Sequence, residues 1–138
     1  MEATRRPGMI VGGLWFLSPK EALEACRNGA LLVDLRLDAL IEMKGFMVPE
    51  WTRIPHHDLR EQGLGLPKDR LLVLADSSGV YLRQAAETLS ALGYDQIACL
   101  NGGMLHWDQA GLPVNTDPAS LLNGQCPCAL KPSKGRAR

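Results

Sequence analysis

Short, continuously apolar runs alternate along this chain with segments whose apolar residues recur every three or four positions. Residues 30–34 (Ala-Leu-Leu-Val-Asp) and 71–75 (Leu-Leu-Val-Leu-Ala) are of the first kind. They read as strands buried on both faces of a parallel sheet. Leu82, Ala85, Ala86, Leu89 and Leu92 are of the second kind and lie on one face of a helix over 82–92, which Gly93 ends. Ser18-Pro19-Lys20-Glu21 is a capping box with proline in the first helical position, opening a helix to about Arg27 that stops at Asn28-Gly29. The same reading gives a first strand within 9–17, a helical turn over 38–43 and a short strand near Arg53-Ile54. It continues with a loop holding a short helix over 55–66, a strand over 96–100 and a last helix over 103–110. Strands alternating with helices predict an α/β fold, with a central, mostly parallel sheet flanked by helices on both faces.

Composition bounds this picture. The 138 residues fit one domain, 46% are apolar and 22% charged, and the formal net charge is zero. Nothing in that balance argues for nucleic acid or a membrane surface as partner of the whole domain. No run is long enough to span a bilayer. Arg5-Arg6 precedes an apolar run, but Gly12-Gly13 interrupts it and no small-residue cleavage site follows, so it is read as a strand rather than a signal. The expected setting is the cytoplasm, and the expected state is a monomer or weak homodimer. Past Val114 the chain turns rich in proline, small residues and terminal lysine and arginine. This divides it into a domain over 9–114 and a basic tail over 115–138.

The loop Asp76-Ser77-Ser78-Gly79-Val80-Tyr81 joins the 71–75 strand to the 82–92 helix. Backbone N–H groups converge in such a loop, and the helix dipole adds positive potential, so the geometry favours an anion. This chain supplies its own carboxylate there. Asp76 is expected to accept the converging N–H groups and cap the following helix, making the loop a rigid turn. Ser77 and Ser78 lack a histidine base nearby in sequence. Asp34 and Arg36 end a strand on the same sheet edge and are read as a supporting ion pair. Arg83 stands either on the helix surface or within reach of Asp76.

Asn101-Gly102-Gly103, Trp107 and Gly111-Leu112-Pro113-Val114 resemble the closing signature of rhodanese domains. Leu32-Val33-Asp34-Leu35-Arg36 is similar to that family's Asp-x-Arg strand end. The run from Ala85 to Tyr94 resembles the helix after its active loop. The resemblance implies a rhodanese-like sulfurtransferase fold over about 17–114. In active rhodaneses a loop cysteine, in the pattern Cys-x-x-Gly-x-Arg, takes sulfur from a donor such as thiosulfate and passes it on as a persulfide. Alignment on Gly79 puts Asp76 at the cysteine position and Tyr81 at the arginine position, and Gly45-Phe46-Met47 stands where the family has Gly-His-Ile. The expectation is therefore a catalytically degenerate domain that binds a protein partner or a small anion, with no cofactor.

Four cysteines are too few for a disulfide scaffold. Cys26 and Cys99 fall in a predicted helix and strand and read as buried thiols. Cys126-Pro127-Cys128 does not. It gives an alternative function, a sulfurtransferase or sulfur carrier using Cys126 or Cys128 as persulfide site, since one thiol of a pair can resolve the other. A zinc site combining this pair with His56-His57 matches no ligand spacing, and no metal is expected.

Overall fold

A computed structural model describes residues 8–116. Its elements run β1 Met9–Val11, β2 Leu14–Leu17, α1 Pro19–Arg27, β3 Leu31–Asp34, α2 Asp38–Met43, β4 Gly45–Phe46 and β5 Trp51–Arg53. Then follow α3 Leu59–Gln62 between two 3-10 turns, β6 Leu72–Ala75, α4 Leu82–Ala91, β7 Ile97–Leu100, α5 Gly103–Gln109 and β8 Val114–Asn115.

The main sheet has the order β1-β2-β7-β6-β3-β5. All neighbours are parallel except β1 and β2, which form an antiparallel hairpin. Residues 9–17 are thus two strands rather than one. Gly12 and Gly13, both at positive φ, turn the chain between them.

Because side chains alternate across a strand, each apolar run feeds two cores. Val33, Leu72, Leu74 and Cys99 pack with Leu59, Leu82, Ala85, Ala86 and Leu89, on the α3–α4 side. Leu32, Val73, Ala75, Ala98 and Leu100 pack with Ala22, Leu23, Cys26, Met104 and Trp107, on the α1–α5 side. The capping box at α1 forms as read: Ser18 Oγ accepts from the Glu21 N–H, and the Glu21 carboxylate accepts from the Ser18 N–H. The Glu21 pKa is lowered, chiefly by that backbone hydrogen bond.

A second, two-stranded sheet joins β4 to β8, with Phe46 opposite Val114 and Gly45 opposite Asn115. It carries the paired chain one residue past the expected boundary at Val114. Trp107 anchors the closing segment from inside. Its ring meets Phe46 edge-on at 5.1 Å, and its indole N–H donates to the Pro113 carbonyl at 2.8 Å.

Candidate functional site

Loops leaving the carboxyl ends of β3, β5 and β6 meet above one edge of the sheet. The loop after β6 is built around Asp76, whose residue is only 2% exposed. One carboxylate oxygen accepts from the Gly79 N–H at 2.6 Å, and the other from the Tyr81 N–H at 2.9 Å. Gly79 sits at φ +101°, a conformation side-chain-bearing residues rarely adopt, and this aims its N–H inward. The carboxylate satisfies the loop one step ahead of the helix. Tyr81 is the N-cap residue of α4, and no side chain caps the helix itself, which differs from the cap expected of Asp76.

The opposite face of the loop is held by α5. The Met104 and Leu105 N–H groups donate to the carbonyls of Asp76 and Ser77 at 2.8 and 3.0 Å. This approach requires Gly103. A Cβ there would lie 2.4 Å from the Asp76 carbonyl oxygen, and its φ is +62°.

After β3, Asp34 and Arg36 form a buried bidentate pair, with Nε–Oδ1 and Nη2–Oδ2 distances of 2.9 and 2.8 Å. Their side chains are 1% and 4% exposed. The Arg36 guanidinium also lies 5.0 Å from the centre of the Phe46 ring. After β5, the His56 ring stacks on Tyr81 with centroids 3.7 Å apart and planes 11° from parallel. His57 beside it is exposed, whereas His56 is half-buried.

Between these loops opens a pocket of about 350 Å³. Leu35, Leu37, Leu40 and Val80 form its apolar walls, and Arg36, His56, Asp76, Ser77, Ser78 and Tyr81 supply the polar lining. His56 therefore shares the pocket with Ser77 and Ser78, although it is remote in sequence. Among the described residues no hydrogen bond joins it to either serine. Arg83 turns away from Asp76. Its Nη1 donates to the Gly12 carbonyl at 3.3 Å and lies 4.0 Å from Glu87, because the β1–β2 hairpin reaches over that side of α4.

Cys26 and Cys99 are buried and free. Burial pushes both thiols up to about 12, and at Cys99 the Asp76 charge adds to the shift while Arg83 opposes it. Neither is a thiolate at neutral pH. Cys126 and Cys128 lie outside the described residues. Among the described residues, no cluster of His, Cys, Asp or Glu could hold a metal ion, and no helix is long and apolar enough to cross a membrane.

Of the pocket lining, Leu37 and Leu40 were not singled out in the sequence, and His56 entered only as a rejected zinc ligand. One signal was available. Leu37 and Leu40 stand three apart on a short helix whose core contact is Ile41, which leaves two leucines without a place in either core.

The Rhodanese-like domain family matches residues 18–110. A protein from Allochromatium vinosum named Sulfurtransferase is 36% identical over 84 residues, covering 61% of this chain and 77% of that protein. A crystal structure of a rhodanese-related protein from Thermoplasma volcanium superposes with a TM-score of 0.66 at 24% identity, covering 73% of this chain and 97% of its own. The solution structure of a rhodanese-like domain from Anabaena gives 0.65 at 18% identity, covering 86% and 85%. These two likenesses establish the shared fold. With the family matching across both cores and the loop between them, the chain belongs to the rhodanese-like domain family.

Proposed function

We propose that this chain is a rhodanese-like binding module in which Asp76 stands at the position of the family's sulfur-carrying cysteine and performs no sulfur transfer there. One observation carries the reading. The N–H groups that would stabilise a thiolate or an incoming anion already serve the buried Asp76 carboxylate. A carboxylate cannot form a persulfide, and its negative charge disfavours a second anion beside it. Arg36 does not offset this, because Asp34 holds its guanidinium in a bidentate pair.

What remains is a pocket with apolar walls, which suits a polypeptide side chain better than thiosulfate. We therefore choose a protein partner over a small anion. Two free, buried thiols fit a reducing compartment such as the cytoplasm.

The Sulfurtransferase name of the Allochromatium vinosum relative favours a second reading, sulfur carriage by Cys126 or Cys128. There a thiolate attacks the outer sulfur of thiosulfate, the S–S bond breaks, sulfite leaves and a persulfide remains. One experiment separates the two. The parent chain and Asp76→Cys are incubated with thiosulfate, and intact mass with peptide mapping locates any added sulfur. The binding-module reading expects none on the parent and one sulfur on the loop cysteine of the variant. Sulfur on Cys126 or Cys128 of the parent would replace it with the carrier.

A further inference from the structure

The apolar surface of the pocket does not stop at its mouth. Leu37, Leu40 and Met43 follow one another at intervals of three along α2 and are 51%, 42% and 72% exposed. The first two line the pocket; the third stands at the far end of the helix. Val80 and Tyr81, also exposed, flank the other side of the mouth. A stripe of exposed apolar side chains thus runs from the pocket along α2.

The last described strand, β8, ends beside the far end of this stripe. β4 follows α2 directly, and β8 runs antiparallel to it, with Phe46 opposite Val114 and then Gly45 opposite Asn115. The chain at Asn115 therefore heads back toward the carboxyl end of α2, where Met43 lies. The next large apolar residues are Leu121-Leu122. Leu121 is five residues on from Thr116, a reach of up to about 17 Å when extended. The whole six-residue α2 is only about 9 Å long at the usual rise per residue.

Charge points the same way. Residues 8–116 hold nine Lys and Arg against thirteen Asp and Glu. Residues 117–138 hold four Lys and Arg against one Asp. An acidic domain is thus joined to a basic segment, and covalent linkage raises the local concentration of that segment to the millimolar range.

We propose that the segment over 117–138 docks on its own domain, with Leu121 and Leu122 on the Leu37–Leu40–Val80 surface at the pocket mouth. This rests on the reading of the pocket as a polypeptide site and names its resident occupant. An outside partner must then displace the chain's own leucines before it binds.

The test uses the full chain with Cys128→Ser and a nitroxide on Cys126. Cys26 and Cys99, buried with thiols pushed up to about 12, stay unlabelled. The amides of Leu37, Leu40, Val80 and Tyr81 are expected to lose most of their NMR intensity relative to the reduced label. The loss should not change on dilution, should weaken in high salt, and should vanish with Leu121→Ser and Leu122→Ser together. Intact signals at those amides overturn the proposal. So does broadening that survives both serine substitutions, or broadening that fades on dilution, which would assign the surface to a second copy of the chain. Sulfur loading of the tail cysteines would remove the binding-module reading without altering these spectra, so the two failures are distinguishable.

Discussion

Asp34 and Asp76 leave neighbouring strands at the same edge of the sheet, where Asp34 pairs in register with Ala75. Both carboxylates are almost wholly buried. They are neutralised in different ways. Asp34 faces a guanidinium two residues away and forms a closed ion pair. Asp76 faces two backbone N–H groups, which are dipoles rather than charges. Removing Asp34 would strand a buried cation, whereas removing Asp76 would leave two N–H groups unpaired, and a dissolved anion is expected to refill their place. The first site is architecture that no solute can replace. The second is a strand-to-helix loop, a geometry that favours an anion, with its converging N–H groups taken by its own side chain.

The largest effect should come from breaking the closed pair. Asp34→Ala leaves Arg36 charged and buried, and should cost about 3–5 kcal/mol in urea unfolding. Added sulfate or thiosulfate should not recover this loss beyond its general effect on the parent. Gly103→Ala should come next, at about 2–4 kcal/mol, because it adds backbone strain and drives a Cβ against the Asp76 carbonyl. A cost near zero would mean that α5 does not fix the loop.

Asp76→Ala should cost less, about 1–3 kcal/mol, since it leaves two N–H groups unpaired but strands no charge. Its distinguishing mark is rescue. Thiosulfate should stabilise this variant by mass action, and more than it stabilises the parent at equal ionic strength. Equal gains in the two proteins would erase the contrast with Asp34, because the loop would then be no anion cradle.

The alternation of buried strands and amphipathic helices was legible because each depends on neighbours in sequence. Ser18-Pro19-Lys20-Glu21 carries its own cap, and Leu82 to Leu89 carries its own face. The Asp76 loop was legible for the same reason: carboxylate, donors and glycine lie within six residues. The two-residue strands β4 and β8 have no periodicity to read, and they exist only because distant segments pair. The pocket as a whole was hidden likewise, since Leu35, Leu40, His56 and Val80 come from four separate segments of the chain. Arg83 took the surface position, one of its two readings, because a hairpin more than sixty residues earlier in the chain placed a carbonyl within its reach.

The smallest effect separates the two contributions of Tyr81. Its backbone N–H donates to Asp76, while its ring stacks on His56 and joins the β6 loop to the β5 loop. Tyr81→Ala keeps the N–H and removes the ring, so the thiosulfate response should remain that of the parent. Stacked aromatic pairs contribute about 0.5–1.5 kcal/mol beyond the area they bury. A double-mutant cycle with His56→Ala should return a coupling of that size. A coupling of zero would mean the two rings only share space, leaving Asp76 and α5 alone to hold the loop. A thiosulfate response in Tyr81→Ala would mean instead that the ring keeps the carboxylate in place, and that the cradle opens without any change at Asp76.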